Sequence, residues 1–357
     1  MKSFIVPEVL EEKKLIRYLG SIMPEASNGF LYKMLRKKNI VLNDKKADGN
    51  EALKSGDEIK IYFSDDTFFK FSKGSAVTEN VTNKGLDNLV KSDNVGDSED
   101  SIHEELNEVL ERLDFKKHII YEDSDILIIN KPADLLSQKA KKEDISLTEL
   151  VNFYLSREED LNNTGFRAGV CNRLDRNTTG VISVGKSVKG LHALNDAIKN
   201  KYTDKWYLTL IEGRMEETIR KKAYLVKDRS HNKSSIYDDY REDAFVIETE
   251  FIPEHHYKYK GKTYTLIKVK LYTGKSHQIR AHLKHLGYRV VGDSKYGSKD
   301  NYKLFKKDFK LKHHLLHAGE LSFYDNENVS EILRGKAFKA PPPKQFKNIL
   351  SSMEVLD

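Results

Sequence analysis

The chain has 357 residues, of which 38% are hydrophobic and 32% charged, and its formal net charge is +6. This composition supports a packed core under a heavily charged surface, and the length favours more than one domain. The single cysteine, Cys171, excludes an internal disulfide and a cysteine-based structural zinc site. Because no segment approaches the roughly 18 apolar residues of a membrane span and the start lacks a secretory signal, we expect a cytoplasmic protein with no membrane partner.

The charge is unevenly distributed along the chain. Residues 1–71 carry 13 basic and 11 acidic side chains, residues 72–114 carry 4 and 11, and residues 115–357 carry 44 and 33. A basic block is typical of a protein that binds a polyanion, although a merely solvated charged surface has the same composition. Residues 72–114 contain no aromatic residue and are rich in Ser, Asn and Asp, which predicts an acidic flexible linker that ends in a short helix. We therefore predict three segments: a small module (1–71), this linker (72–114) and a larger domain (115–357).

The first segment has the pattern of a small α/β module. Apolar residues at helical spacing predict one helix near Leu15–Ile22 and a second near Phe30–Leu35, followed by strands at Ile40–Leu42 and Glu58–Phe63 with turns at 43–46 and 55–57. This arrangement resembles the small RNA-binding module of the ribosomal-protein-four type, although Asn28-Gly29-Phe30 stands where that module commonly has an Arg. The resemblance implies RNA contacts by four basic residues of the second helix: Lys33, Arg36, Lys37 and Lys38. A solvated helix face is the alternative.

The larger domain is predicted to be α+β, with helices flanking a mixed sheet that is mainly antiparallel. Ser146 and Glu149 form a capping-box pattern that begins one helix, and Val188–Ile198 has the spacing of another. Strands are predicted at 119–121, 126–129, 181–184, 205–211, 245–251 and 264–271. Few of these strands are separated by a helix long enough for a parallel crossover, which favours antiparallel pairing and a central cleft.

The segment Cys171–Gly180 stands out because Asp175 lies between Arg173 and Arg176, followed by Asn, Thr, Thr and Gly. This is turn chemistry leading into a β-branched strand, so Asp175 is predicted on a loop, where functional residues are common. The spacing alone leaves two interpretations open, a structural ion pair or a nucleophile that is held ionised.

Other classes of site have little support. The histidines at 277, 282 and 285 lack a well-placed acid or cysteine, so we expect no metal. The chain has no G-x-x-x-x-G-K-[ST], G-x-G-x-x-G or G-x-S-x-G pattern, so we expect no nucleotide or dinucleotide cofactor and no serine-hydrolase elbow.

Six segments of the larger domain occur in a fixed order: 121–132 (YEDSDILIINKP), 172–180 (NRLDRNTTG), 205–213 (KWYLTLIEG), 273–287 (TGKSHQIRAHLKHLG), 291–297 (VGDSKYG) and 315–318 (LLHA). Together they resemble the RluA-like branch of RNA pseudouridine synthases, from about Ile119 to Phe346. The resemblance implies an isomerase that converts uridine to pseudouridine in structured RNA without a metal or cofactor. The expected RNA is large-subunit rRNA, with tRNA as the alternative. We expect a monomer.

The resemblance also implies roles for individual residues. Asp175 is expected to be the catalytic aspartate, Tyr207 to stack on the base and take the C5 proton, and Arg280 to pair with the carboxylate. Arg173 is expected to help open the RNA. Further RNA contacts are expected at Asn172, Arg176, Lys275, His277 and Gln278. Arg280 and Tyr207 should therefore converge on Asp175 in one basic cleft.

Three departures from the family pattern and two further questions stay open. Asn172 replaces a usual His and Thr179 a usual Ser, from which we expect altered loop contacts with activity retained; Lys275 replaces a common Arg and loses its bidentate fork. Attack at C1′ and attack at C6 are both compatible with the sequence. A catalytically silent RNA chaperone or ribosome-assembly factor is the alternative function.

Overall fold

The computed structural model describes residues 2–6, 14–23, 25–64, 67, 68, 71, 96–141, 143–157, 167–228 and 233–356. The chain divides into two compact units, residues 1–98 with 160–166, and residues 99–159 with 167–357. Among the described residues, no helix combines the length and the apolar character needed to cross a membrane. The predicted segment boundaries at 71/72 and 114/115 remain predictions.

Among the elements that the structure describes, the first unit contains a four-stranded sheet and two helices. Its elements are β1 (Lys2–Ile5), α1 (Leu15–Ile22), α2 (Asn28–Arg36), β2 (Ile40–Leu42), β3 (Lys45–Lys46) and β4 (Glu58–Ile61). The strands pair antiparallel in the order β1-β4-β2-β3. Strand β1 was not predicted from the sequence. A turn was predicted at 43–46, and its second half is strand β3. The predicted helices are present, and their apolar faces pack on the sheet.

The second unit is built around one large sheet. Its strands are β5 (Ile119–Glu122), β6 (Ile126–Lys131), β7 (Gly169–Val170), β8 (Thr179–Gly185), β9 (Thr203–Glu212), β10 (Ile219–Asp228), β11 (Lys233–Tyr237), β12 (Phe245–Tyr259), β13 (Lys262–Leu271), β14 (Arg289–Val290), β15 (Leu316–Phe323), β16 (Ala337–Lys339) and β17 (Glu354–Val355). Its α-helices are α3 (Gly96–Leu113), α4 (Leu147–Leu155), α5 (Val188–Lys199), α6 (Gln278–His285), α7 (Lys299–Phe309) and α8 (Lys344–Ser351).

The large sheet is mostly antiparallel, as predicted. The strand order is β11-β10-β12-β13-β9-β15-β8-β6-β5, with β7, β14, β16 and β17 pairing off this path. Among the described strands, one pair is parallel, β15 with β8. The α+β prediction for this domain is therefore confirmed in its coarse form.

The register of three neighbouring strands places distant parts of the chain side by side. Tyr207 on β9 lies opposite Ala318 on β15, and Ala318 lies opposite Gly180 at the start of β8. Gly180 has φ +116, and a Cβ added there would lie 2.1 Å from the carbonyl oxygen of Ala318. Only glycine fits this close approach of two backbones, which brings the loop before β8 next to Tyr207.

Helix α6 covers one face of the sheet close to this point. Its Ile279 and Leu283 pack against Phe251 and Val269 in one buried cluster. Gly287, with φ +92, lies just after the helix, where a left-handed residue terminates it readily. Arg280 lies on this anchored helix.

The acidic helix α3 corrects the prediction of a flexible linker over its C-terminal part. Leu106 and Leu110 are buried, and the ring of His103 lies 5.3 Å from the ring of Phe153 on α4. Arg157 also donates a hydrogen bond to the side chain of Asn107. Burial of the apolar stripe explains why this helix joins the second unit. The part of the predicted linker at 72–95 lies outside the described residues.

Candidate active site

The loop that carries Asp175 is held by hydrogen bonds on both sides of the carboxylate. The hydroxyl of Ser137 donates to the carbonyl of Leu174 at 3.0 Å and accepts from its N–H at 3.1 Å. The N–H of Thr178 donates to the carbonyl of Asp175 at 3.0 Å and closes a turn. The side chain of Asp175 keeps 24% of its surface exposed. The loop therefore presents a positioned carboxylate that solvent can reach.

Arg280 joins Asp175 to a second carboxylate. Its Nη1 donates to Oδ2 of Asp175 at 3.0 Å, so the contact predicted between these two residues is present. Its Nε and Nη2 donate to the two oxygens of Asp293 at 2.6 and 2.9 Å. Asp293 is 1% exposed and also accepts backbone N–H bonds from Lys295 and Tyr296. A bidentate pair of this kind fixes the plane of a guanidinium, so Asp293 orients Arg280 toward Asp175.

The electrostatic balance keeps both carboxylates ionised. Burial by itself would raise the pKa of Asp175, but His277 and His314, once they are protonated in acid, and Arg280 hold that pKa below its ordinary value. Burial opposes ionisation of Asp293 as well, yet Arg280 lowers its pKa to about 2. An acid that stays charged near neutral pH can act as a nucleophile or a base.

Tyr207 lies on the same side of the site, close enough for the charge of Asp175 to act on it. Burial, and then the negative charge of Asp175, raise the pKa of Tyr207 well above its ordinary value. The phenol is therefore protonated in the resting structure. A protonated phenol cannot accept the C5 proton, so the expected base role requires the phenol to lose its own proton first and stays a prediction.

The buried amine of Lys131 holds the loop of Asp175 through hydrogen bonds. This role was not predicted from the sequence. Lys131 is 0% exposed, and its Nζ donates to the carbonyl oxygens of Pro132, Leu135 and Arg176, each at 2.8 Å. Burial lowers its pKa to about 7, although the charge of Asp175 opposes this change. A lysine at the end of an otherwise apolar strand run was the available signal.

Two buried histidines hold the residues that follow Asp175. Nε2 of His314 lies 2.9 Å from the hydroxyl of Thr178, and Nδ1 of His317 lies 2.8 Å from the hydroxyl of Thr179. Nε2 of His317 donates to the carbonyl of Ala340 at 2.9 Å, so Nδ1 accepts from Thr179. The hydroxyl that Thr179 retains in place of the usual Ser is used in this contact.

The residues predicted to touch RNA fall into two groups. Arg173, Arg176 and Lys275 are exposed. Asn172 is bonded to strand β8: its Oδ1 accepts from the N–H and hydroxyl of Ser183 at 2.7 and 2.9 Å, and its Nδ2 donates to Val181 at 3.1 Å. Asn172 thus has a structural role that the sequence did not indicate.

The prediction that Gln278 contacts RNA does not fit the structure. Gln278 is 2% exposed, its Oε1 accepts hydrogen bonds from Thr273 and from the N–H of Lys275, and its Nε2 donates to Thr249 and to the carbonyl of Glu248. Burial and these bonds leave the amide no group for RNA. It holds the turn that precedes α6.

His277, which was predicted to contact RNA, has an unusual backbone conformation. It is the residue before α6 and has left-handed backbone angles, φ 58 and ψ 14. Its Nε2 nevertheless lies 3.9 Å from Oδ2 of Asp175. The side chain reaches the site through this unusual backbone conformation.

A cavity of about 200 Å³ lies beside the loop, lined among others by Lys131, Asn177, Thr179 and His314. Neither Asp175, Tyr207 nor Arg280 is among its lining residues. It is therefore distinct from the surroundings of the carboxylate.

Comparisons with known proteins agree with this geometry. Residues 125–285 match the model of the family described as RNA pseudouridylate synthase. The chain is 30% identical over 324 residues to an RNA pseudouridine synthase of Mycoplasma genitalium, covering 90% of this chain and 88% of that protein. It is 25% identical over 350 residues to the ribosomal large subunit pseudouridine synthase C of Buchnera aphidicola, covering 98% and 96%.

Solved structures support the fold. The structure of human RNA pseudouridylate synthase domain containing 4 aligns with a TM-score of 0.55 at 18% identity, over 71% of this chain and 98% of that one. The fold and the site thus define an enzyme of the pseudouridine synthase class. The chain belongs to the RluA-like RNA pseudouridine synthase family, and its activity is the isomerisation of uridine in RNA to pseudouridine.

Proposed function

We propose that Asp175 is the catalytic aspartate, which attacks a uridine that has left its stack in structured RNA. The observation that supports this role is the hydrogen bond from Arg280 to an ionised, partly exposed carboxylate on a rigid loop. The uracil has to leave the helix because a carboxylate cannot reach C1′ or C6 within paired RNA. A covalent intermediate then divides a difficult glycosidic exchange into easier steps.

Arg280 keeps Asp175 ionised and fixes its orientation, and Tyr207 packs on the flipped base. The charge of Asp175 is one of the two causes that raise the pKa of Tyr207. Burial is the larger cause, so Tyr207 stays protonated while it is enclosed. A base role at C5 therefore requires the phenol to give up its own proton first.

The test measures tritium release from RNA labelled with [5-³H]uridine, isolated from cells that lack this enzyme. Asp175→Asn should reduce release by more than roughly 10³-fold, because the nucleophile is lost. Asp308→Asn is a matched control, since Asp308 pairs with Lys260 away from the site. Release by Asp175→Asn at the wild-type rate would contradict the proposal.

We further propose large-subunit rRNA as the substrate, with the enzyme acting as a monomer in the cytoplasm. The relatives named as ribosomal large subunit pseudouridine synthases, from Rickettsia felis and Buchnera aphidicola, support this choice over tRNA. Mapping pseudouridines across all RNAs in a deletion strain and its parent tests it. Loss of a tRNA site with every rRNA site intact would overturn the assignment.

The first unit is proposed to be an RNA-binding module of the ribosomal-protein-four type. The four basic residues predicted to contact RNA are exposed at the C-terminal half of α2 and just after it: Lys33, Arg36, Lys37 and Lys38. Neutralising Lys33 and Lys37 should weaken RNA binding and lower its salt dependence by up to about one unit per lost phosphate contact. Neutralising Lys260 and Lys262, which pair with Asp308 and Glu212, is the matched control. Equal salt slopes for all three proteins would exclude the module's role.

A further inference from the structure

His277 occupies an unusual position beside the proposed nucleophile. A left-handed backbone is uncommon for a residue other than glycine, and such strain persists where the surrounding structure enforces it. The conformation directs the imidazole toward the loop of Asp175, with the side chain only 11% exposed. Its place is determined by turn contacts on both sides, including the bonds of the buried Gln278.

The two ring nitrogens of His277 have different surroundings. Nδ1 lies 3.0 Å from the hydroxyl of Tyr296, and the two rings meet nearly edge to face. Nε2 lies 3.9 Å from Oδ2 of Asp175, which is longer than a hydrogen bond. In the part of the chain that the structure describes, Nε2 has no hydrogen-bond partner.

The hydrogen bonds of Tyr296 define which nitrogen carries the proton. The hydroxyl oxygen of Tyr296 accepts from the backbone N–H of Ser234 at 2.7 Å. Its own hydrogen is then available to Nδ1 of His277, which acts as the acceptor. Because neutral imidazole has one N–H, that N–H is on Nε2 and faces Asp175. The ring is neutral because burial lowers the pKa of His277, with Arg280 and Lys295 acting in the same direction against the carboxylates.

We propose that His277 is a neutral hydrogen-bond donor to the uracil as it leaves the ribose, with its tautomer set by Tyr296. This inference rests on the proposed role of Asp175. Oδ2 of Asp175 already accepts from Arg280, so the unpartnered N–H beside it is available to the substrate that Asp175 attacks.

The reaction needs such a donor at one stage. When the bond between N1 and C1′ breaks, its electron pair stays with the uracil, and the negative charge spreads over N1, O2 and O4. His277 keeps its proton and donates a hydrogen bond to one of these oxygens. In attack at C1′, Asp175 takes the place of N1 on that carbon. The charge is neutralised when C5 bonds to C1′ and releases the carboxylate of Asp175; C5 then loses its proton and N1 gains one. A preorganised donor placed where charge develops stabilises the transition state more than the bound substrate.

The first experiment compares His277→Gly with His277→Asn. Both residues tolerate the left-handed backbone, but only Asn offers an N–H. Turnover is followed with RNA labelled with [5-³H]uridine from cells that lack the enzyme. His277→Gly should lower kcat by about 100-fold with KM changed less than about threefold, and His277→Asn should recover part of the loss. Unchanged kcat in His277→Gly, or equal loss in both variants, would overturn the proposal.

Two controls distinguish a failure of the role proposed for His277 from a failure of the role proposed for Asp175. His285→Asn changes the histidine at the end of α6, which pairs with Asp238 at 3.1 Å, and it should leave kcat unchanged. Asp175→Asn is measured in the same assay. An active Asp175→Asn enzyme would refute the proposed nucleophile, whereas an inactive Asp175→Asn enzyme with a fully active His277→Gly enzyme would refute only the role of His277.

The tautomer itself is tested by ¹⁵N NMR of the protein labelled at histidine. The His277 signals are assigned by their loss in His277→Asn. Wild-type enzyme should show Nε2 protonated and Nδ1 unprotonated at neutral pH, and Tyr296→Phe should shift the ring toward a mixture. A wild-type ring that is protonated on Nδ1, or on both nitrogens, would overturn the assignment.

Discussion

Arg280 is bound more firmly to Asp293 than to Asp175. It makes two hydrogen bonds to Asp293, at 2.6 and 2.9 Å, and one to Asp175, at 3.0 Å. Asp293 is fully enclosed, whereas Asp175 remains partly exposed. The guanidinium is thus anchored at one end and presents Nη1 to the loop that carries Asp175. Asp293 is therefore the carboxylate that positions Arg280, and Asp175 is the carboxylate proposed to react.

Asp293→Asn should impair catalysis without preventing RNA binding. The amide replaces one acceptor of the bidentate pair with a donor, so the guanidinium loses its fixed plane and its aim at Asp175. We expect kcat to fall roughly 10- to 100-fold with little change in RNA affinity. Tritium release and filter binding measure the two quantities. Asp308→Asn is the control for loss of an ion pair, and a fall in affinity at constant kcat would argue against a positioning role.

The same pair makes a prediction for stability in acid. The pKa of Asp293 falls from 3.8 to about 2 on folding, so its contribution is complete above about pH 4 and is lost as the pH falls to about 2. The contribution amounts to roughly 2 kcal/mol. The difference in free energy of unfolding between wild type and Asp293→Asn should therefore shrink across this window. A difference that stays constant from pH 5 to pH 2 would contradict the prediction.

Lys131→Met should destabilise the second unit because three buried carbonyl oxygens lose their donor. A buried acceptor without a partner costs about 1–3 kcal/mol. The pKa of Lys131 is about 7 in the folded chain and 10.5 when unfolded, so between these values the unfolded state binds more protons and wild-type stability gains as pH rises. Urea unfolding at pH 7 and pH 9 should show a wider gap between wild type and variant at pH 9. A gap that narrows at pH 9 would be inconsistent with this account.

Gly180→Ala should be strongly destabilising. The new Cβ would lie 2.1 Å from the carbonyl oxygen of Ala318, and φ +116 is unfavourable for any residue with a Cβ. Strands β8 and β15 must then separate, which should lower the free energy of unfolding by about 3 kcal/mol or more. Thermal unfolding measures the change. Gly274→Ala, where no atom lies within 4 Å of the added Cβ, is the matched control and should unfold near the wild-type temperature.

Local sequence patterns predicted many of the elements. The alternation of apolar residues and the turn residues between them identified strands β5, β6 and β8 and the loop before β8. The capping pattern placed the start of α4 correctly: Glu149 accepts the backbone N–H of Ser146 at 3.1 Å. These signals depend on neighbours along the chain, which is why sequence alone contains them. The resemblance, in turn, indicated which residues converge.

The sequence does not predict the surroundings of a side chain when those surroundings come from distant segments of the chain. The sequence predicted the class of fold, the loop before β8 and, through the family resemblance, the contact between Arg280 and Asp175. Only the tertiary structure decided that Gln278 is buried, that Asp293 anchors Arg280, that Lys131 supports the loop and that α3 packs on the second unit. The physical reason is that burial and hydrogen bonding of a polar group depend on which strands the sheet places side by side. No local pattern along the chain records that placement.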